Sequence, residues 1–578
     1  MEERMEKWMV YAKKADFNEI GRLFSISPIT ARILRNRDIV EMDEISRFLH
    51  GNLHDLHDPY LMKDMGLAVD ILKSKIEVGK KIRVIGDYDI DGVCSSYILL
   101  EGLKAVGGLV DYRLPDRQED GYGMHNKMIE EAREAGIDTI ITCDNGISAA
   151  EPVLLAKQYK MTVIVTDHHE VPLEDGEERI PVADAVVDPK QKACAYPFPE
   201  ICGAVVAWKL IQALYGKMGR QPEEALQEFL EFAAIATVGD VMRLQNENRI
   251  IVKYGLKKLK ETRSVGLKAL ILANELDANK ISAYHIGFII GPCLNAGGRL
   301  QTAEIALRLL LEQDERKAKE MALELKRLND LRKDMTVRGL EDAVCQLETT
   351  GRAESDKVLV VYLPECHESL AGIIAGRLRE KYNKPAIVLT DSKEGLKGSG
   401  RSIPAYHMFL GLTAVKSLLS KFGGHPMAAG LSLEKENLDA FREELNAQCE
   451  LVPDDFVKKI WIDVPMPFEY ISERLVHELE ALEPFGQGNE KPLFAERNVT
   501  VRSARVLGKN RNVVKLSLVN ASGCPMEGIW FGDGIAFMEE KGSRNRMNLT
   551  YYPDLNTYNG MVSLQVVVCN YQYIDKNV

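Results

Sequence analysis

The chain has 578 residues, 46% hydrophobic and 28% charged, with a formal net charge of −12. That length exceeds one ordinary core and implies roughly two to four domains. The acidic total excludes a generic nucleic-acid coat but leaves room for a local basic groove. Ten cysteines are scattered with no CxxC pair, which argues against a disulfide framework or zinc ribbon and for reduced thiols. The opening MEERMEKWMVYAKKADF has no apolar signal-like run, and no stretch approaches the roughly 20 apolar residues of a membrane span. The expected setting is cytoplasmic, with no membrane contact.

Residues 1–60 read as a helical lead-in. Over 61–300, short apolar strands near 82–86 (IRVIG), 138–144 (DTIITCD), 161–167 (MTVIVTD) and 184–188 (DAVVD) alternate with helical stretches such as 127–135. This is the pattern of a parallel sheet covered on both faces, with ligands beyond the carboxyl ends of the strands. A mostly helical stretch covers 200–275. Residues 303–338 contain no Gly or Pro, and Met321, Leu325, Leu328, Leu331 and Met335 recur every three or four positions. One long amphipathic helix of roughly 50 Å is expected there, within a connector over 301–345. A second α/β unit covers 346–452, with strands near 357–363 and 385–390. Residues 453–578, rich in Val, Tyr and Thr with Gly and Asn turns, read as a small β-barrel. The fold class is multidomain α/β with a C-terminal barrel.

Each strand of the first unit ends in acid: Asp87, Asp89 and Asp91 in GDYDIDG, Asp144 in TCDNG, Asp167 with His168 and His169 in TDHHE, and Asp188. Asp240 lies in the helical stretch. A single aspartate after a strand is ordinarily a helix cap or turn residue, and Asp188, before Pro189, is read that way. Several carboxylates and a histidine converging on one edge repel one another unless cations lie between them. Sulfur-free oxygen ligation suits Mg²⁺ or Mn²⁺, and the imidazole favours Mn²⁺. Two such ions about 3.5–4 Å apart form a phosphoesterase centre.

These four segments, in this order with VGD at 238–240, resemble motifs I to IV of the DHH phosphoesterase superfamily. RLPDRQEDGYG, VVDPKQ, GPCLNAGGRL, GSGRSIP, FGGHPMAAGLS and LEPFGQGNEKPLF are similar to segments of its RecJ family of bacterial single-stranded-DNA-specific exonucleases. The resemblance implies metal ligation by Asp87, Asp89, Asp144, His168 and Asp240. It places His169 at the scissile phosphate and Asp167 as a ligand or as the partner that orients a histidine. Asp91 joins the catalytic set at lower rank, with a helix N-cap beside Gly92 as its alternative reading. It also makes the second unit a DHH-associated domain whose Ser399 and Arg401 bind backbone phosphates, with His367 and His425 nearby. Arg117, Asn295 and Arg299 would act from the opposite wall, and the GYG and GGR loops would shape the entrance. Guanidinium suits this work because it pairs with phosphate in two bonds.

Three departures stand out. Cys293 replaces an expected arginine, which puts one substrate contact in doubt. ESLAGIIAG follows His367 where Pro-Gly is usual. No histidine stands just upstream of Asp87, unlike shorter relatives. Between Arg497 and Met526 lie six basic residues and no acid, among them Arg502, Arg505, Lys509, Arg511 and Lys515. In alternating strands this is the basic face of an oligonucleotide-binding (OB) barrel, which tracks a single strand. The expected activity is 5′-to-3′ hydrolysis of single-stranded DNA to 5′-mononucleotides in recombination and repair. Expected partners are single-stranded DNA, a helicase and a single-strand-binding protein, with the enzyme a monomer. The alternatives are a phosphodiesterase on short oligoribonucleotides, phosphoadenosine phosphate or cyclic dinucleotides, and an inactive single-strand clamp. The first lacks the long helix and basic barrel, and the second would have lost the carboxylates.

Overall fold

The computed structural model describes residues 6–574 apart from Gln118, Glu119, Tyr122, Glu394 and Asn559, so the tip of the GYG loop lies outside the described residues. The first sheet has five parallel strands in the order Leu109–Arg113, Lys81–Ile85, Thr139–Thr142, Thr162–Thr166 and Ala185–Val187. Ile82, Val84, Ile140, Ile141, Val163 and Ile164 are wholly buried, because helices cover both faces. The edge strand Leu109–Arg113 is an addition to the four expected from sequence. It carries Asp111 and Arg113 and is only partly buried, so it lacks the continuous apolar run that marks its neighbours.

Register places the acids. Ile85 pairs with Thr142, Ile141 with Ile164, and Thr166 with Val187. Two residues beyond Ile85 and Thr142 stand Asp87 and Asp144, and the same row continues through Asp167 to Asp188. Helices Ile90–Ala105, Gly203–Lys217 and Pro222–Gly239 pack into one core with this sheet, centred on Leu99, Trp208 and Phe232.

The uninterrupted helix expected over 303–338 is broken. Helix Glu304–Leu311 ends, and helix Glu315–Thr349 begins after Asp314, whose side chain accepts from the Lys317 amide. Glu312 Oε1 takes the amides of Gln313 and Asp314 at 2.9 and 2.8 Å. Local side-chain acceptors thus compete with the helix ladder where Gly and Pro are absent. The 35-residue helix spans about 52 Å. Its Ala318 and Leu325 belong to the first core, and its Ala343 and Leu347 to the core of the second unit. That unit is a five-stranded mixed sheet in which only Leu359–Tyr362 and Ala386–Ser392 run parallel.

The C-terminal barrel follows the order Phe494–Leu507, Val513–Val519, Pro525–Phe531, Met561–Tyr573, Arg546–Tyr558, and closes by pairing the last with the first. Its core is shared with the lead-in: Ile33, Leu34 and Phe48 lie in one cluster with Leu516, Leu549 and Tyr551. Strand Lys7–Val10 pairs in parallel with Lys459–Ile462. Arg37 and Asp463 form a buried ion pair at 3.0 Å. No helix among the described residues is long and apolar enough to cross a membrane.

Arg249 joins these parts. It is wholly buried and donates to the carbonyls of Phe48, Ala481 and Leu482 at 2.9, 3.0 and 2.7 Å, so a helix of the first domain holds both the lead-in and the approach to the barrel. Arg249→Ala leaves the Phe48 and Ala481 carbonyls without this donor, at about 1–3 kcal/mol each, while the Leu482 carbonyl keeps Asn489 Nδ2 at 2.9 Å. The expected result is a lower melting midpoint and new proteolytic cleavage near 481–485, read by limited proteolysis. An unchanged cleavage pattern would remove Arg249 from this role.

Candidate metal centre and substrate cleft

The GDYDIDG turn holds its acids in unlike ways. Asp89 caps helix Ile90–Ala105, accepting from the Asp91 and Gly92 amides at 2.9 and 3.1 Å. Gly92 is required there, since a Cβ would lie 2.5 Å from the Asp87 carbonyl oxygen. Asp87 is buried, and its Oδ1 has no hydrogen-bond partner. Asp144 adopts a left-handed φ of 59° against Gly203, where a Cβ would come within 2.8 Å of its own. Chain geometry thus forces the two carboxylates together.

Asp91 does not follow its alternative reading as the N-cap of its own helix, a place that Asp89 takes. Its two oxygens accept from the Gly203 and Ala204 amides, both at 2.7 Å, and so cap a helix more than a hundred residues downstream. It is wholly buried, with Oδ2 3.4 Å from His168 Nε2. Asp91 thus holds a helix N-terminus while lying in one donor group with His168 and Asp240. Asp167 is similar: Oδ2 accepts from the Ile147 amide at 2.9 Å, and Oδ1 from the His168 amide at 2.7 Å and His169 Nδ1 at 2.8 Å.

His168 Nε2 lies 3.0 Å from Asp144 Oδ1 and 3.8 Å from Asp240 Oδ2. Three groups of donor atoms each lie within 4.8 Å: Asp87, Asp89 and Asp144; Asp91, His168 and Asp240; Asp144, His168 and His169. Burial, then repulsion from neighbouring acids with Asp91 foremost for all but Asp87, raises Asp87 and Asp144 well above the carboxylate range, raises Asp89, and brings Asp240 to about 8. Burial pushes His168 down, towards the neutral form that ligates metals. His169 is half-exposed; its partial burial is outweighed by the bond to Asp167 and the surrounding acids, which raise it to about 9. A partnerless buried oxygen on Asp87, hard oxygen and imidazole donors, and Asp144 common to two groups fit a pair of adjacent divalent cations.

Across the cleft the cations are arginines. Arg117 lies over the Tyr88 ring at 4.9 Å. Arg299 donates to the Ser369 carbonyl at 2.9 Å, bridging the two α/β units. Arg401 donates to Ser399 Oγ at 2.9 Å and to the Gly400 carbonyl at 2.8 Å. Burial, then positive neighbours that include Arg117, brings Arg299 to about 10 and lowers Arg401. A cavity of about 240 Å³ between the units is lined by Tyr88, Arg117, Ser369, Lys397 and Ser399. Asn295 Oδ1, in helix Gly291–Leu300, is buried without a partner. His367 caps helix Glu368–Tyr382, with Nδ1 2.8 Å from Ser369 Oγ. His425 is in the exposed hairpin turn whose Ala428 pairs with Arg401.

The geometry accords with comparison to known proteins. Residues 81–237 match the DHH family, N-terminal domain, residues 355–451 the DHHA1 domain, and residues 462–570 the RecJ OB domain. The chain is 36% identical to the Bacillus subtilis single-stranded-DNA-specific exonuclease RecJ over 93% of its length and 68% of that protein. It is 31% identical to the Escherichia coli enzyme of that name over 98% and 99%. This chain belongs to the RecJ family. The crystal structure of RecJ from Thermus thermophilus in complex with Mn²⁺ superposes with a TM-score of 0.83 at 27% identity, covering 100% of this chain and 80% of that one; the Mg²⁺ complex gives 0.77. The expected parallel-sheet domain, second α/β domain and OB barrel are thus all present.

Packing adds detail to two expectations. Cys293 does not face the cleft. Its thiol is wholly buried, donating to Asn274 Oδ1 at 3.4 Å and accepting from Asn329 Nδ2 at 3.3 Å, so it packs helices together. Asp188, expected as a turn residue, does accept from the Lys190 amide through Oδ1 at 2.8 Å. Oδ2 is nevertheless buried without a partner, and burial raises the group to about 7. Tyr88, Ser369 and Lys397 escape the sequence reading, although Tyr88 stands in plain view between the aspartates of GDYDIDG. The barrel residues Arg502, Arg505, Lys509, Arg511 and Lys515 are all exposed on one hairpin, with Arg505 directly opposite Lys515. Glu527, on the neighbouring strand, pairs with Lys515 at 3.1 Å. Tyr551 and Tyr552 are core, whereas Phe531 is exposed.

The pH dependence follows in sign. With chelator present, Asp240 at about 8 and His169 at about 9 both bind protons more tightly folded than unfolded. Their share of stability is full at acid pH and is lost as pH rises through those values. The melting midpoint in EDTA should therefore fall between about pH 5 and 9, and added Mn²⁺ should offset the fall. A level midpoint in EDTA would contradict this.

Proposed function

We propose that this chain is a single-stranded-DNA-specific exonuclease that hydrolyses phosphodiester bonds from the 5′ end and releases 5′-mononucleotides, using two divalent cations, Mn²⁺ or Mg²⁺. The observation that carries the reading is the convergence of Asp87, Asp89, Asp144, His168 and Asp240, with Asp144 common to two donor groups, opposite a cleft walled by arginines. The bound cations supply positive charge that eases deprotonation of the attacking water and offsets charge on the phosphate.

The chain's own residues do the rest. Asp87, Asp89, Asp144, His168 and Asp240 hold the cations. Asp167 fixes His169 through Nδ1, and protonated His169 donates to the phosphate as charge builds. Asp91 sets the helix beginning at Gly203, which in turn fixes Asp144. Arg117, Arg299, Ser399 and Arg401 clamp the terminal backbone phosphates, with Asn295, His367 and His425 beside them. The cleft between the units is narrow enough for one strand and excludes a duplex, and the exposed basic hairpin of the barrel tracks the strand beyond it. In this reading the protein acts as a cytoplasmic monomer on strands opened by a helicase and coated by a single-strand-binding protein, in recombination and repair.

Asp144→Ala is expected to lower hydrolysis by more than about 100-fold, the upper end of what losing an outer partner of a metal ligand costs. DNA affinity should stay near that of the parent, since the arginines lie elsewhere. His169→Gln should lower kcat about 10²–10⁴-fold with KM little changed. The assay uses 5′- and 3′-labelled single strands with Mn²⁺, Mg²⁺ or EDTA, beside a blunt duplex and an RNA strand. Immediate release of 5′ label as mononucleotide supports the reading; cleavage of only dinucleotides or short RNA overturns it.

A further inference from the structure

A second groove, of about 500 Å³, lies between helix Asn246–Lys260 and the segment leading into the barrel, lined by Lys253, Lys257, Lys260, Tyr284, Phe485 and Lys491 among others. Lys253, Lys257 and Lys260 recur on one helical face along about 10 Å, and Lys491 faces them from the other wall. Among the described residues none of the four forms an ion pair within 4 Å; Glu483, the one carboxylate in the lining, feels Lys491 and Lys260, and Lys491 and Lys257 sit over the Tyr552 and Tyr254 rings. Burial, then the positive neighbours Arg249 and Lys257, holds Lys253 below the usual lysine range. The row is therefore short of negative charge.

At the mouth, Tyr284 and Phe288 stack on each other with ring centroids 4.8 Å apart and planes 28° apart. They are 61% and 65% exposed, and a paired aromatic face left in water marks a surface that meets something else. Phe288 belongs to a π-helical turn, Ile286–Ile290, an irregularity that commonly marks functional sites. This turn is packed against the catalytic centre. A Cβ on Gly287 would lie 3.6 Å from Val238, two residues before Asp240, and one on Gly291 would lie 3.1 Å from Ile90 in the aspartate loop.

We propose that this groove is a second nucleic-acid site, which holds the part of a single DNA strand lying outside the cleft. Its backbone phosphates run along the lysine row, and a base stacks on the Tyr284–Phe288 face. The proposal rests on the reading of the protein as a single-strand exonuclease. A row of separated cations matches a repeating polyanion, and an open π face accepts any base. The site is distinct from the barrel's basic hairpin: Arg505 lies eleven residues along its strand from Phe494, about 36 Å, whereas Lys491 precedes that strand.

The test places Tyr284→Ala with Phe288→Ala, and separately Lys253→Ala with Lys257→Ala, in the full chain carrying Asp144→Ala. Fluorescence anisotropy compares a short oligonucleotide that fills only the cleft with a long strand of the same 5′ sequence. The aromatic variant should weaken long-strand binding about tenfold or more. The lysine variant should reduce the salt slope of long-strand binding by about 1.4. Both should leave short-strand binding unchanged and, with Asp144 restored, keep kcat on the short oligonucleotide at the parent value, which also reports correct folding. Long-strand binding equal to the parent's overturns the proposal. So does loss of affinity for an Asp/Glu-rich peptide probe with DNA binding intact, which would assign the groove to a protein partner. Failure of the exonuclease reading shows separately, as absence of hydrolysis in the protein with Asp144 intact.

Discussion

Mutual repulsion among buried carboxylates is the constraint around which the first domain is built. Asp87, Asp89, Asp144 and Asp240 all sit where burial disfavours their charge, and neighbouring acids raise them further: Asp89 raises Asp87, and Asp91 leads on the other three. A chain left to relax would turn them outward. It is prevented by backbone: in-register parallel strands deliver Asp87 and Asp144 side by side, and glycines at 92 and 203 let neighbouring segments close to distances no side chain would tolerate. Two further acids spend their charge on holding others in place, Asp91 on a helix N-terminus and Asp167 on His169. Negative charge at a helix N-terminus is favourable, which offsets part of the repulsion above it.

The positive side of the cleft obeys the same logic with the sign reversed. Arg299 and Arg401 are both held down by burial and by the field of Arg117, and their bonds go to neutral partners, the Ser369 and Gly400 carbonyls and Ser399 Oγ. Neutral acceptors fix each guanidinium without discharging it. An acidic partner would have locked the same geometry but cancelled the positive charge. The two halves of the site therefore differ in sign, acidic at the sheet edge and mostly basic across the cleft, where Glu368 pairs with Lys397 at 3.0 Å. Arg299 crosses between the units, so their spacing depends on a hydrogen bond as well as on the long helix that runs through both cores.

Much of this was legible in the sequence. The alternation of apolar strand and helix marks the sheet, and aspartates at strand ends mark the edge that carries the site. The partner of Asp91 was not legible, because the amides it caps come from a helix far along the chain and leave no local signal. The break at 312–314 is hidden for a related reason: Glu312 and Asp314 end one helix and start the next without Gly or Pro. Cys293 could be flagged as a departure, but only packing shows that it contacts Asn274 and Asn329 and not the cleft. Residues 17–50 give no hint that their apolar faces belong to a barrel encoded at the other end.

That shared core has a consequence for synthesis. Lys7 pairs with Lys459, so the lead-in leaves the ribosome well before its partner and must wait for more than four hundred further residues before that strand exists. At about 5–20 residues per second the delay is about 20–90 s, far longer than a helix or a local collapse needs to form. Ile33, Leu34 and Phe48 pass that time without the surface that buries them. The first and last segments of the chain are thus the last contact to form, and the interval in which a chaperone would find an exposed apolar face is written into the order of the domains.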